Sequence, residues 1–257
     1  MKQIIGVLLF SAILSGAFFS CKKDENPSPD MGYNYFPDKV GSYTVYNVDS
    51  FYYDDFSSPV TIDTFKFQLK EKIQSSYPDN QNRTTLRLER YIRNYNPAIP
   101  YSSLPWILKD VWAANRTTTT AEKVEENVRY VKLAFPVKEG QTWNGNAQNT
   151  NPEWDYTYQF FDQKRTIGGI TFDSVLQVNQ IVYQDLIQQR HYIEKYARNV
   201  GLVYKQVIDV ESQPPNLSLI PLEFQDDTLD SFYAKPILQR IDSGVIYSYT
   251  ISSFGTE

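Results

Sequence analysis

Apolar and polar positions alternate along most of the chain with a period of two. Phe65, Phe67 and Leu69 interleave with Lys66, Gln68 and Lys70, and Leu86 and Leu88 with Arg87 and Glu89. Side chains of a strand point alternately to opposite faces, so each run predicts a β-strand with one buried and one wet face. Pro78-Asp79-Asn80 predicts the turn region between them, giving a hairpin with a long loop. Tyr43 to Phe51 predicts a first strand after Gly41. Val128–Phe135, Asp155–Phe161, Phe172–Gln180, Arg190–Ala197 and Val200–Val210 continue the series, with Gly168-Gly169 and Arg198-Asn199 as connections. Gly244 opens a closing strand on which Val245, Tyr247, Tyr249 and Ile251 share a face. Trp106–Trp112 fits a strand or a short helix, and Ala121–Glu126 is the best helical candidate. Pro97, Pro100 and Pro105 predict a loop, and Pro214-Pro215 set off the last region. Roughly ten strands without a βαβ rhythm predict a mainly β fold. An antiparallel β-sandwich, a partly closed barrel or one large curled sheet all fit, with at most short helices.

The first 25 residues break this pattern. Lys2 supplies a short positive end, Ile4 to Phe19 is mostly apolar, and Phe18-Phe19-Ser20-Cys21 follows. The apolar stretch is shorter than the roughly 20 residues of a membrane span and reads as an export signal. The chain then divides into a lipoprotein signal peptide (1–20), a lipidated N-terminus and flexible tether (21–35), and a single β-rich domain (36–257). Cys21 is the one cysteine, so internal disulfides are excluded and a thiol carrying lipid accounts for it. A short echo links Phe36-Pro37, Gly41 and Tyr43 to Phe135-Pro136, Gly140 and Trp143; it marks two related half-domains or is coincidence.

Charge narrows the partners. The 257 residues carry 25 basic and 30 acidic side chains, net −5, with no basic tract suited to a phosphate backbone, which argues against nucleic acid. The basic residues are spread along the predicted strands, as expected for solvated sheet faces. Aromatic residues are abundant: 20 Tyr, 15 Phe and 4 Trp. Either they pack across strands, as β structure favours, or they form a ligand face for sugars or protein partners.

Candidate chemistry is sparse. His191 is the one histidine and sits in a predicted strand, so a Ser-His-Asp arrangement has no nucleophile-elbow sequence and a zinc site lacks ligands. Asp54-Asp55 and Asp226-Asp227 with Asp230 offer hard oxygens for calcium but not the twelve-residue loop spacing. Paired acids for glycoside hydrolysis cannot be singled out without a carboxyl separation. Gly201 lacks the glycine run and Lys-Ser/Thr of a phosphate loop. No catalytic residue, metal set or cofactor motif emerges. The richest loop is Trp143-Asn144-Gly145-Asn146, followed by Asn149 and Trp154. Amides and rings there suit a sugar ligand at Trp143, Asn144, Asn146 and Trp154, while Asn-Gly equally suits a tight turn with a tryptophan packed on the sheet edge.

Three stretches carry a family likeness: Tyr35-Phe36-Pro37 to Gly41-Ser42-Tyr43, Leu133-Ala134-Phe135-Pro136 to Trp143-Asn144-Gly145-Asn146, and Glu194-Lys195-Tyr196-Ala197 to Gly201-Leu202-Val203-Tyr204. Together with the signal they resemble predicted lipoproteins of Bacteroidota. The resemblance implies an outer-membrane lipid anchor at Cys21, on the periplasmic or the cell-surface side, and transfers no catalytic or binding residue. The expectation is an envelope-anchored, non-enzymatic binding or structural lipoprotein whose partner is an envelope protein or glycan. A glycan-binding or glycan-processing accessory is the alternative. An exposed Trp143 beside a groove favours glycan binding; a packed Trp143 favours a scaffold.

Overall fold

A computed structural model describes residues 29–57 and 59–257. The signal segment and Cys21 lie outside the described residues. Twelve strands form one antiparallel sheet: β1 (Ser42–Asp54), β2 (Thr61–Pro78), β3 (Thr84–Asn94), β4 (Ile107–Arg116), β5 (Thr120–Glu125), β6 (Val128–Ala134), β7 (Thr142–Asn144), β8 (Asp155–Ile167), β9 (Ile170–Gln184), β10 (Gln188–Ala197), β11 (Gly201–Glu211) and β12 (Ser243–Thr256). The spatial order β6-β5-β4-β3-β2-β1-β12-β11-β10-β9-β8-β7 makes β6 and β7 the two edges. Every other pair of chain neighbours is hydrogen-bonded, and β1 pairs with β12. The sheet therefore curls until its edges meet, nearly closing a barrel.

The edges meet through specific bonds. The Val131 amide of β6 donates to the Gly145 carbonyl at 2.9 Å, just beyond β7. The Tyr158 hydroxyl of β8 donates to the Ala134 carbonyl and accepts from its amide, at 2.8 and 3.0 Å. Closure in this way removes the unpaired edges that an open sheet would expose.

The sheet divides into two six-strand halves, and the echoing segments begin them. Ser42 donates to Lys39 and Gln141 to Lys138, each at 3.1 Å, closing equivalent turns. Gly41 (φ 88°) and Gly140 (φ 76°) occupy the left-handed position of those turns, where a side chain would be strained. Gly41 then donates to Ile73 of β2, and Gly140 to Tyr158 of β8, at 2.8 and 2.9 Å.

Several expectations change. Ala121–Glu126 is not helical: its first five residues belong to β5, and the charged Glu122 and Lys123 are buried there. Met31–Tyr35, expected as the end of the tether, belongs to the compact unit Met31–Glu257, and Tyr35 is fully buried. One α-helix is present among the described residues, α1 (Gln225–Tyr233), in the segment joining β11 to β12. Ile237 of that segment packs on Ile208 and Val210 of β11. No helix of the described residues is long and apolar enough to cross a membrane.

Candidate functional site

The basic residues expected on wet faces supply the main surprise. Arg90, Lys123, Lys132 and Glu194 are buried, and Glu71, which pairs with Arg90 and Lys123, is only 13% exposed in its side chain. Register explains the first group. Glu71 on β2 lies opposite Arg90 on β3, which lies opposite Asp110 on β4, so three charges form a row across three strands. Arg90 donates through Nε to Glu71 at 3.0 Å and through Nη1 to both Asp110 oxygens at 3.0 Å. Lys123 of β5 donates to the other Glu71 oxygen at 2.8 Å. The Arg90 guanidinium lies 3.5 Å from the Trp112 ring centroid, adding a cation–π contact in a dry setting.

A second group spans β5, β6, β10 and β11. Glu194 on β10 is paired in register with Lys205 on β11. Lys132 of β6 donates to Glu194 at 2.7 Å and lies 3.4 Å from Glu125. Lys205 lies 3.5 Å from Glu194 and 3.7 Å from Glu125, while the Tyr196 hydroxyl donates to Glu194 at 2.5 Å. Across both groups four acids (Glu71, Asp110, Glu125, Glu194) balance four bases (Arg90, Lys123, Lys132, Lys205), so the two groups together carry no net charge.

Burial strips water from each charge, a cost of several kcal/mol per ion that close partners must offset. Burial alone would raise the Glu71 carboxyl, but Lys123 and Arg90 outweigh it and hold it below the usual range. Glu125 and Glu194 are likewise held low, against burial, chiefly by Lys132 and Lys205. Burial would lower Lys132 and Lys205, yet Glu125 and Glu194 push both upward. Tyr46 and Tyr196 are raised well above the ordinary phenol value by burial, and Tyr156 is pushed up to about 12, also by burial. Near neutral pH Glu71, Glu125 and Glu194 are thus held ionised, Lys132 and Lys205 are held protonated, and Tyr46, Tyr156 and Tyr196 stay neutral.

Glu71, Lys123, Glu125, Lys132, Glu194 and Lys205 line a cavity of about 90 Å³ together with apolar side chains that include Phe36, Ile73, Leu86, Leu88 and Leu202. That volume suits several water molecules or a very small ligand. General acid–base chemistry works best with a group titrating near the operating pH, and Glu71, Glu125, Glu194, Lys132 and Lys205 are each shifted away from it.

The Trp143 loop lies at the barrel seam. The half-buried Trp143 indole donates to the Val131 carbonyl at 3.0 Å, and its ring packs 4.4 Å from that of Tyr158. Asn144 accepts from the Asn146 and Trp154 amides at 2.8 and 3.1 Å. The buried Asn146 side chain donates to the Pro152 carbonyl at 2.7 Å, and Asn149 donates to the Arg129 carbonyl of β6 at 2.8 Å. The structure thus brings Trp143, Asn144, Asn146 and Trp154 together, with these polar groups engaged within the protein.

The remaining candidates stand apart. Asp54 caps its own turn by accepting from the Phe56 amide at 2.9 Å, and Asp226 and Asp227 occupy the first turn of α1. Among the described residues no group of three or more His, Cys, Asp or Glu is placed to hold a metal ion. The charged interior left a trace in sequence, because charged residues share short segments with apolar ones at Ala121-Glu122-Lys123-Val124-Glu125 and Val131-Lys132-Leu133. Strand periodicity does not say which face is inside.

The molecule is thus a nearly closed, twelve-strand antiparallel barrel with paired charges in its interior. No protein-family model matches the chain, and no curated protein sequence matches it. Among solved structures it is similar to a Bacteroides fragilis protein named as exported and YmcC-like in fold, with 9% identity and a TM-score of 0.40 over 86% of this chain and 98% of that one. It is also similar to a Parabacteroides distasonis protein named as a lipoprotein, with 10% identity and a TM-score of 0.30 over the same shares.

Proposed function

We propose that this chain is an envelope-anchored, non-enzymatic barrel that serves as a binding or structural lipoprotein. The observation that supports the non-catalytic part is the mutual pairing of the interior charges, with Glu71, Glu125 and Glu194 held below and Lys132 and Lys205 held above their ordinary titration ranges by their partners. The anchor rests on Phe18-Phe19-Ser20-Cys21, with Cys21 acylated after removal of the leader. Two or more acyl chains hold a protein stably at a membrane. Glycan recognition by Trp143, Asn144, Asn146 and Trp154 is the alternative ligand reading. The packed indole and the occupied Asn146 amide favour the scaffold.

Intact-mass analysis of the full-length protein from its native envelope tests the anchor. The mature chain is expected to begin at an acylated Cys21, and Cys21→Ser is expected to leave the membrane fraction. An unacylated start elsewhere, or unchanged fractionation of the variant, overturns the anchored reading.

A further inference from the structure

The registers place the β1–β2, β3–β4 and β9–β10 connections and the whole β11–β12 segment at one end of the barrel, and Met31–Gly41 at the other. Large exposed apolar side chains follow this division closely. Among the described residues only Val40, Tyr77 and Phe254 sit at the entry end, whereas Phe56, Leu186, Leu219, Leu222 and Phe224 crowd the far end. Phe56, Leu219 and Leu222 are 94%, 81% and 84% exposed. Phe65, Phe67, Ile92 and Tyr95 line a recess of about 560 Å³ there, together with Lys66, whose charge is met by Asp49 at 3.5 Å. A concentration of exposed apolar side chains at one end of a fold points to an interaction site there.

Charge selects the occupant. Residues 54–63 carry three acids and no base, and residues 211–242 carry six acids against two bases. A second copy would bring one acidic rim against another, and an anionic membrane surface would repel it. A basic surface with protruding apolar side chains satisfies both features.

We propose that the far rim of the barrel docks a protein partner that presents apolar side chains ringed by Lys and Arg. The apolar recess receives a side chain, and the acids of α1 and the β1–β2 turn pair with the surrounding bases. The inference deepens the scaffold reading and takes its envelope setting from it.

Photocrosslinking in the native envelope tests it, with p-benzoylphenylalanine replacing Leu222 or Phe56 at the rim and Val40 or Tyr77 at the entry end. Rim positions are expected to yield one protein adduct whose crosslinked peptide, identified by mass spectrometry, contains Lys or Arg. Entry-end positions are expected to yield none. Asp226→Lys with Asp227→Lys is expected to cut the adduct at least tenfold while lowering the melting curve only slightly, through the helix dipole of α1. An adduct of twice the chain mass, adducts to lipid alone, equal yield at both ends, or a yield indifferent to the charge reversal each overturns the proposal. So does the absence of any adduct from both rim variants when each melts like the parent. Fractionation of Cys21→Ser is read separately, so loss of the anchor and loss of docking remain distinguishable.

Discussion

Lys132 on β6 and Glu194 on β10 come from different halves of the barrel, and their side chains meet 2.7 Å apart in its interior. Their side chains are 4% and 1% exposed. Removing one partner of such a pair strands the other without water, at a cost of about 3–5 kcal/mol. Lys132→Met is therefore expected to destabilise the barrel by about that amount, reduced in part by Lys205, which stays near Glu194. Lys132→Met with Glu194→Leu restores neutrality and is expected to cost much less than the two single changes combined. Urea denaturation of the four proteins gives the coupling energy directly; additive losses would show that the pair does not act as a unit.

The same network fixes the pH range of stability. Glu71, Glu125 and Glu194 have folded values below the ordinary carboxyl value. Their contribution is complete above about pH 4.5 and is lost as pH falls through the lowered values. Lys132 and Lys205 are raised, so theirs is complete below about pH 10 and is lost as pH rises beyond it. Tyr46 and Tyr196, kept neutral by burial, add to the alkaline loss. Denaturation midpoints are expected to be flat between these limits and to fall on both sides. A midpoint that rises on acidification below pH 4 would contradict the assignment.

The strands were legible because alternation is local. Leu86 and Leu88 turn inward against Arg87, and Gly168-Gly169 and Arg198-Asn199 mark connections between strands, as their sequence suggests. A partly closed barrel was one of the architectures the alternation allowed, but the residues that close it were not legible, because Lys132 and Glu194 are 62 residues apart and no periodicity pairs them. The Ala121–Glu126 segment read as helical because Glu and Lys favour helices, yet ion pairs with Glu71 and Arg129 hold Lys123 and Glu122 on β5. Helix α1 did leave a signal: Asp226 and Asp227 stand at its start, where acids favour the helix dipole. The Trp143 loop stood out by its composition, and only the seam geometry places its indole against β6.

Two adjacent glycines give a sharp contrast. Gly168 and Gly169 both have positive φ, 58° and 81°. A Cβ at Gly168 would lie 1.9 Å from the Ile251 carbonyl oxygen, whereas one at Gly169 would meet nothing within 4 Å. Gly169→Ala is expected to cost only the left-handed strain, about 1–2 kcal/mol. Gly168→Ala adds a collision with backbone and is expected to be clearly worse, since the β8–β9 turn must move away from β12. Equilibrium unfolding of both variants checks the order, and equal losses would mean that the close approach to Ile251 is not maintained in solution.

Trp143 bears on whether the seam is held closed. Trp143→Phe keeps a ring beside Tyr156 and Tyr158 but removes the indole donor to the Val131 carbonyl. Loss of such a bond costs about 0.5–1.5 kcal/mol, more if the carbonyl stays dry. The local effect is expected to exceed the global one, because the Val131 amide depends on Gly145, two residues beyond Trp143. Native-state hydrogen exchange at Val131 is therefore expected to quicken, while amides in β1 and β12 exchange as before. Trp154→Phe is the comparison: it leaves the Trp154 backbone bonds to Asn144 and Gly145 available and is expected to disturb Val131 less. If the two variants accelerate Val131 equally, the indole bond does not hold the edges together and closure rests on the Tyr158–Ala134 bonds.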